Sequence, residues 1–256
     1  MPSASRGKLQ YEGGQTAVAM AALTDSGDQT TFEGASSPWS RADSHAPVIR
    51  PNGLVSGGEI TPAASGTNKL PILSLSGRSD AAQSVFDSLE LNFYTVGDLA
   101  NIGAWLLLEE RYGEFIALLE GQAADEDWIA AQPPPADLWG TVNLLNTAIA
   151  LEATGRGPET QRVLDRTRQI LDEQARAGAN NAGFWVSQSE YAALTGDVES
   201  MLEHLRRSLD AGGIGIPGFV SPAFDPYRED PRFIALEQEA IGRANAERVK
   251  LGLAEI

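Results

Sequence analysis

The sequence FWVSQSEYAALTGDVESMLEHLRRSLDAG (residues 184–212), followed by GFVSPAFDPYREDPRF (residues 218–233), carries the clearest structural pattern in the chain. Apolar residues recur at helical spacing on both sides of Gly196-Asp197, which predicts two amphipathic helices joined by a tight turn. Asp197 is expected to cap the second helix. Such a hairpin cannot bury its apolar face alone, so the pattern predicts stacked helical neighbours and a binding groove.

Two further helix pairs are predicted upstream of this hairpin. They follow Ala81, near which the spacing of the apolar residues becomes helical. The first covers roughly residues 99–119 with its break at Tyr112-Gly113. The second covers roughly residues 142–171, where Gly157-Pro158 is expected to lengthen the turn. The sequence therefore predicts a mainly α fold of antiparallel helical hairpins over residues 81–217. A capping segment and a C-terminal helix are expected to complete the array.

Residues 1–80 have a different character, being rich in Gly, Ser, Thr, Ala and Pro. Short strand-like runs alternate with turn residues, among which Asn52-Gly53 is a favourable turn dipeptide. The runs lie at residues 8–12, 16–23, 47–50, 59–62 and 70–75. So few strands enclose little core, and we interpret the segment as a small β-rich module or arm. The predicted regions are thus 1–80, 81–217 and 218–256.

The composition is that of a globular and strongly acidic chain. Of 256 residues, 42% are apolar, and we find no segment long and apolar enough to span a membrane. The N-terminal sequence MPSASRGK lacks the apolar run of a secretory signal, so we expect no export by that route and a cytoplasmic protein. A net charge of −16 repels phosphates and anionic lipids, which argues against nucleic-acid and membrane partners.

No residue pattern points to catalysis or to a cofactor. The chain has no cysteine and only two histidines, and His204 has no ligand partner at suitable helical spacing. Nucleophile-elbow, P-loop and dinucleotide-binding motifs are absent. Carboxylate runs such as residues 125–127 are interpreted as solvated faces or helix starts. We therefore expect no enzyme activity, no metal and no cofactor.

Aromatic and arginine side chains are the candidates for binding a partner, because they supply most interface anchors. We expect a groove among the helices of residues 95–175, with Trp105, Tyr112, Trp139 and Arg162 as its contacts. The alternative, that aromatic residues at helical positions belong to the core, stays open.

The hairpin of residues 184–212 resembles a tetratricopeptide repeat. Trp185 falls at the repeat's large aromatic position and Ser189 at its small packing position. Ala192 and Met201 depart from the pattern, which usually has tyrosine and alanine there. The sequence FDPYREDPRFIAL (residues 224–236) resembles the segment after the last repeat, with Phe224, Phe233, Ile234 and Leu236 capping the apolar end and Asp225, Arg228 and Asp230 facing water. The resemblance covers roughly residues 95–240 and implies recognition of a protein or peptide.

The N-terminal sequence resembles a different family. QYEGGQTAVAMAALTDSGDQTTFEGASSPWS (residues 10–40) and APVIRPNGLVSGGEITPAASGTN (residues 46–68) are similar to a β-rich module of tailed-phage and prophage structural proteins. In that family the β-rich sequence continues after the SGTN element, whereas this chain turns to KLPILSLSGRSD and then to helix.

Three functional hypotheses follow from the sequence. The first is a non-enzymatic scaffold that binds a protein or peptide through helical repeats. The second is a structural component of a phage or prophage particle, docked through its N-terminal module and associated with the virion. An enzyme with an unrecognised site ranks last. Self-association as a homo-oligomer stays open.

Overall fold

The computed structural model describes residues 48–50, 53–55, 67–89, 96–122, 138–213, 219–250 and 252. Most of these residues are helical, and the mainly α fold class is confirmed for them. The helices are α1 Lys69–Leu75, α2 Ser79–Asp87, α3 Val96–Leu108, α4 Tyr112–Gln122, α5 Leu138–Ala153, α6 Gly157–Arg176, α7 Ala182–Leu194, α8 Val198–Asp210 and α9 Pro231–Lys250, with a 3₁₀ helix at Pro222–Tyr227.

Two short antiparallel strands are described in the N-terminal region. They are β1 Val48–Arg50 and β2 Gly53–Val55, paired so that Arg50 lies opposite Gly53. β1 coincides with the predicted run at residues 47–50, while Gly53 belongs to a strand and not to the turn we expected. The predicted runs at residues 8–12, 16–23 and 59–62 lie outside the described residues. The β-rich module as a whole therefore stays a prediction.

The strand predicted at residues 70–75 is wrong, because this segment forms helix α1. A short apolar run does not distinguish a strand from a buried helical turn by its pattern alone. Pro71 lies in the first turn, where the missing amide hydrogen is not needed for helical bonding. Leu70 is fully buried in the helical core. Helical structure thus begins before Ala81, where the spacing of the apolar residues predicts its start.

The three predicted helix pairs are present as α3–α4, α5–α6 and α7–α8, and α1–α2 adds a fourth pair among the described residues. Two of the predicted breaks shift. The turn between α3 and α4 lies at residues 109–111, with Glu110 at a positive φ of 57°, and Tyr112 begins α4. Gly157-Pro158 does not lengthen a turn but opens α6, where proline is well tolerated.

Both helices of the α7–α8 hairpin begin with a side-chain cap. Asp197 accepts a hydrogen bond from the Ser200 amide at 3.1 Å, as predicted from the sequence. Asn181 plays the same role for α7 and accepts a hydrogen bond from the Phe184 amide at 2.9 Å. Each cap satisfies an amide that would otherwise lack a partner at the helix start.

Replacing Asn181 with alanine should lower the free energy of unfolding by about 0.5–2 kcal/mol, because the Phe184 amide loses its acceptor. Asn181→Ser keeps an acceptor oxygen and serves as the matched control, with most of the stability retained. Urea unfolding at neutral pH measures both. Equal midpoints for wild type and Asn181→Ala would show that the cap contributes nothing.

The helix pairs stack in chain order. The first helix of each pair packs against the first helix of the next, so that α1 contacts α3, α3 contacts α5 and α5 contacts α7. In two pairs the second helix also contacts the first helix of the next pair: α4 contacts α5, and α6 contacts α7. Each pair thereby covers an apolar face of its neighbour, as in a helical repeat array.

Helix α5 is the centre of the array and is buried almost all round, because α3, α4, α6 and α7 surround it. Its Asn146 side chain donates to the Ala100 carbonyl of α3 at 3.1 Å. Gly103 of α3 leaves room for both neighbouring helices, since a Cβ there would lie 2.7 Å from the Phe115 ring of α4 and 3.1 Å from the Asn146 Nδ2 of α5. Among the described residues the large exposed apolar side chains are Ile234 and Val249, both on α9. The groove predicted among the helices of residues 95–175 stays a prediction.

The end of the array is covered by residues 219–236, which we call the cap. Phe224, Phe233 and Leu236 are buried, as predicted. Phe233 meets the ring of Phe224 at 5.6 Å and that of Phe219 at 5.5 Å between centroids. The prediction for Ile234 is wrong: this side chain is 36% exposed.

The polar residues of the cap fix its shape and its position. Arg228 was expected to face water, but it is half-buried and donates to the Phe219 carbonyl at 3.1 Å and to Asp225 at 2.8 Å. Tyr227 donates its hydroxyl to the Ala193 carbonyl of α7 at 2.9 Å. The cap is therefore attached to α7 by a hydrogen bond as well as by apolar packing.

Candidate functional site

The four residues predicted to bind a partner lie on four different helices. Trp105 lies on α3, and its side chain is 1% exposed. Its ring packs against Phe86 at 4.8 Å between centroids, and the Arg111 guanidinium lies 4.8 Å from it. A surface partner cannot reach this side chain, so the role predicted for Trp105 is wrong in this conformation and the core alternative applies.

The other three predicted contacts have different surroundings. Tyr112 begins α4 and packs half-buried against the core, whereas Arg162 is exposed on α6. Trp139 belongs to α5, but its side chain lies outside the described part of the chain. Partner binding through these three residues stays a prediction.

The aromatic pair at the start of α7 differs from the repeat pattern that the sequence suggested. Phe184 is the buried residue, at 4% exposure, while Trp185 is only half-buried. The aromatic residue that packs into the core is therefore Phe184, one residue before the Trp185 that the repeat pattern places at its large aromatic position. Ser189 is fully buried, as the small packing position predicts.

Trp185 is held in place from several directions while part of its surface stays exposed. The His204 imidazole stacks on its ring at 5.5 Å with an interplanar angle of 21°. The Arg207 guanidinium lies 4.8 Å from the ring, within the range of cation–π attraction. The indole Nε1 donates to the Asn180 carbonyl at 3.1 Å, and Phe184 meets the ring edge-on. We call Trp185, His204 and Arg207 the tryptophan cluster.

The surroundings of His204 in the tryptophan cluster favour a neutral histidine. Burial, followed by the nearby positive charge of Arg207, lowers the pKa of His204. Its Nδ1 is buried and has no hydrogen-bond partner among the described residues. Arg207 forms an ion pair with Glu203 one turn earlier, and both side chains are exposed. The cluster thus presents an aromatic surface beside an exposed ion pair, which contributes little stability by itself.

A second unusual group lies nearby, on the side of α7 that meets the cap. Burial raises the pKa of the Glu190 carboxyl to about 7, and Ser221 of the cap opposes this shift. Glu190 is not among the residues predicted from the sequence. A signal is present in the sequence, because Glu190 is the single charged residue of a helix, AGFWVSQSEYAAL, whose other residues carry no charge.

The described residues offer neither a metal-binding cluster nor a membrane-spanning helix. Groups of three or more histidine, aspartate or glutamate side chains close enough to hold a metal ion are not found there. The described helices also include none with the length and apolar character needed to cross a membrane.

Comparison with known proteins gives no match: no family model, no curated protein and no solved structure is similar to the chain. The resemblance to tetratricopeptide repeats therefore rests on the hairpin sequences, and the described helices are compatible with it because they stack in pairs.

Proposed function

We propose that the chain is a non-enzymatic scaffold that binds a protein or peptide partner through its helical array. The contact surface that we assign is the outer side of the α7–α8 hairpin, centred on the tryptophan cluster. The observation that supports it most is the partial exposure of Trp185 in a position fixed by His204, Arg207 and Asn180.

A fixed and partly exposed tryptophan has the properties of an interface anchor. Tryptophan and arginine are enriched among the residues that carry most of the binding energy. Because the ring is already held by three neighbours, a partner that covers it loses little further conformational entropy. Arg207 lies beside it and can donate to carbonyl or carboxylate oxygens of the partner.

The net charge of the chain bears on the kind of partner. At −16, the chain attracts positively charged proteins and peptides during encounter. We therefore propose a partner of net positive charge that offers an apolar side chain to Trp185. Tyr112 and Arg162 remain proposed contacts for a longer partner, and a cytoplasmic location without nucleic-acid or membrane partners remains part of this proposal.

Site-specific photocrosslinking in an extract of the source cells tests the assigned surface. A photoreactive side chain at Glu203, beside the tryptophan cluster, should give one adduct of defined mass. The same side chain at Asp80, exposed on α2, serves as the matched control and should give none. Equal adducts at both positions, or none at either, would contradict the proposed surface.

The phage-particle alternative rests on the sequence of residues 10–68, most of which lies outside the described residues. It predicts ring-shaped or higher-order assembly of the full chain, lost when residues 1–80 are deleted. Electron microscopy of both forms distinguishes the hypotheses, since a strict monomer with or without this segment counts against the particle component.

A further inference from the structure

Helix α9 carries a row of uncharged residues along its outer side. The large exposed apolar side chains of the described residues both belong to this row, since Ile234 is 36% exposed and Val249 is 56% exposed. Residues 234, 238, 241, 245 and 249 recur at steps of three and four, which places them on one side of the helix. Together with the adjacent Gly242 they form what we call the α9 seam: Ile234, Gln238, Ile241, Gly242, Asn245 and Val249.

Another side of α9 packs inside the chain. Its buried apolar residues are Phe233, Leu236, Ala240 and Ala244. Among the described elements α9 packs mainly against α8, and ion pairs such as Arg206–Glu239 at 2.6 Å hold the two helices together. Because an α-helix turns by about 100° per residue, the packed residues and the α9 seam lie on different sides of the helix. The seam therefore faces away from the helical array, and most of its residues are exposed.

The α9 seam is complementary to itself. When two copies of a helix lie antiparallel across a two-fold axis, each residue lies opposite the residue of the other copy that is equally far from the axis. An axis between Ile241 and Gly242 places Ile234 of one copy opposite Val249 of the other. It also places Ile241 opposite Gly242, where the space around a Cβ position is open. Each large apolar side chain of the seam thus meets another apolar side chain or the space beside a glycine.

The charge of α9 also favours a contact between two copies at this place. The whole chain has a net charge of −16, so two copies repel each other over most of their surfaces. Helix α9 is different, because its four basic and three acidic side chains give it a net charge of +1. All seven lie outside the α9 seam, so pairing two seams buries no unpaired charge at the centre of the contact.

We propose that the α9 seam is a homodimer interface, in which two copies of the chain pair antiparallel about a two-fold axis between Ile241 and Gly242. The contact extends from Ile234 to Val249, about 22 Å along each helix. One helix pair of this length buries less than the roughly 1,600 Å² of a standard interface, so we expect a weak dimer with a dissociation constant on the order of 100 µM. The interface goes beyond the proposed binding function and does not depend on it, because it excludes the tryptophan cluster.

Sedimentation equilibrium of the full-length chain tests the interface. Between about 5 µM and about 500 µM the average mass should rise from that of one chain towards that of two, whereas Gly242→Glu should remain a monomer. The monomer accommodates this change, since the Cβ position is open and glutamate favours a helix more than glycine does. Gly113→Glu, at an exposed and equally open glycine of α4, is the matched control and should dimerise like wild type. A monomeric wild type, association that persists in Gly242→Glu, or loss of association in both variants would overturn the proposal.

Disulfide crosslinking tests the antiparallel arrangement, because the chain has no cysteine of its own. Chains carrying Ile234→Cys, mixed with chains carrying Val249→Cys and mildly oxidised, should form mainly the mixed dimer. Two copies of residue 234 would lie at least about 22 Å apart, beyond the reach of a disulfide. Gln169→Cys, exposed on α6, should stay monomeric under the same conditions. The proposal is wrong if the two chains crosslink with themselves as readily as with each other.

Discussion

Replacing Trp105 with alanine should lower the free energy of unfolding by about 3–5 kcal/mol, the usual cost of removing a buried tryptophan side chain. The ring is 1% exposed and packs against Phe86 and under the Arg111 guanidinium, so its loss leaves a cavity in the core. Chemical denaturation at neutral pH measures the change. A loss below about 1 kcal/mol would place Trp105 at the surface and restore its predicted role as a partner contact.

Trp105→Phe is the matched control for this prediction. The indole Nε1 is buried and has no hydrogen-bond partner among the described residues. Phenylalanine removes that unsatisfied donor and still fills most of the space, so the two effects partly offset each other. We expect Trp105→Phe to lose less than half the stability that Trp105→Ala loses.

Replacing Phe233 with alanine should also lower the free energy of unfolding by about 3–5 kcal/mol. Phe233 is 1% exposed and joins Phe219 and Phe224 in the cap, so alanine removes the ring that holds the two others together. Thermal and urea unfolding of the full chain give the change. Exposure of the apolar end should in addition increase aggregation on heating.

The neighbouring residue provides the control. Ile234→Ala changes a side chain that is 36% exposed, and we expect it to alter stability by less than about 1 kcal/mol. Equal losses for Phe233→Ala and Ile234→Ala would contradict the packing of the cap as described.

The helical part of the fold could be predicted from the sequence because its helices carry strong local signals. The α7–α8 hairpin was placed to within two residues by its apolar spacing, its glycine and the cap at Asp197. The segment at residues 70–75 could not be assigned, because a run of six residues with one proline fits a strand as well as a helical turn. In the folded chain this segment is helical and packs against α3.

The predicted contact residues show what sequence periodicity cannot supply. The spacing placed Trp105 on a helix but could not tell which of its neighbours would cover it. Helix α5 is buried almost all round because four helices surround it, and that arrangement depends on packing between distant segments. For the same reason the burial of Phe184 in place of Trp185, and the raised pKa of Glu190, become visible only in the folded chain.

Equilibrium titration with the crosslinked partner tests most directly whether the chain binds a protein through the tryptophan cluster. Trp185→Ala should weaken binding about 25-fold or more, as expected for an interface anchor worth at least about 2 kcal/mol. Arg168→Ala, on the exposed face of α6, should bind within about twofold of wild type, since residues outside an interface leave affinity nearly unchanged. If folded Trp185→Ala binds the partner as tightly as wild type, the tryptophan cluster is not the binding surface.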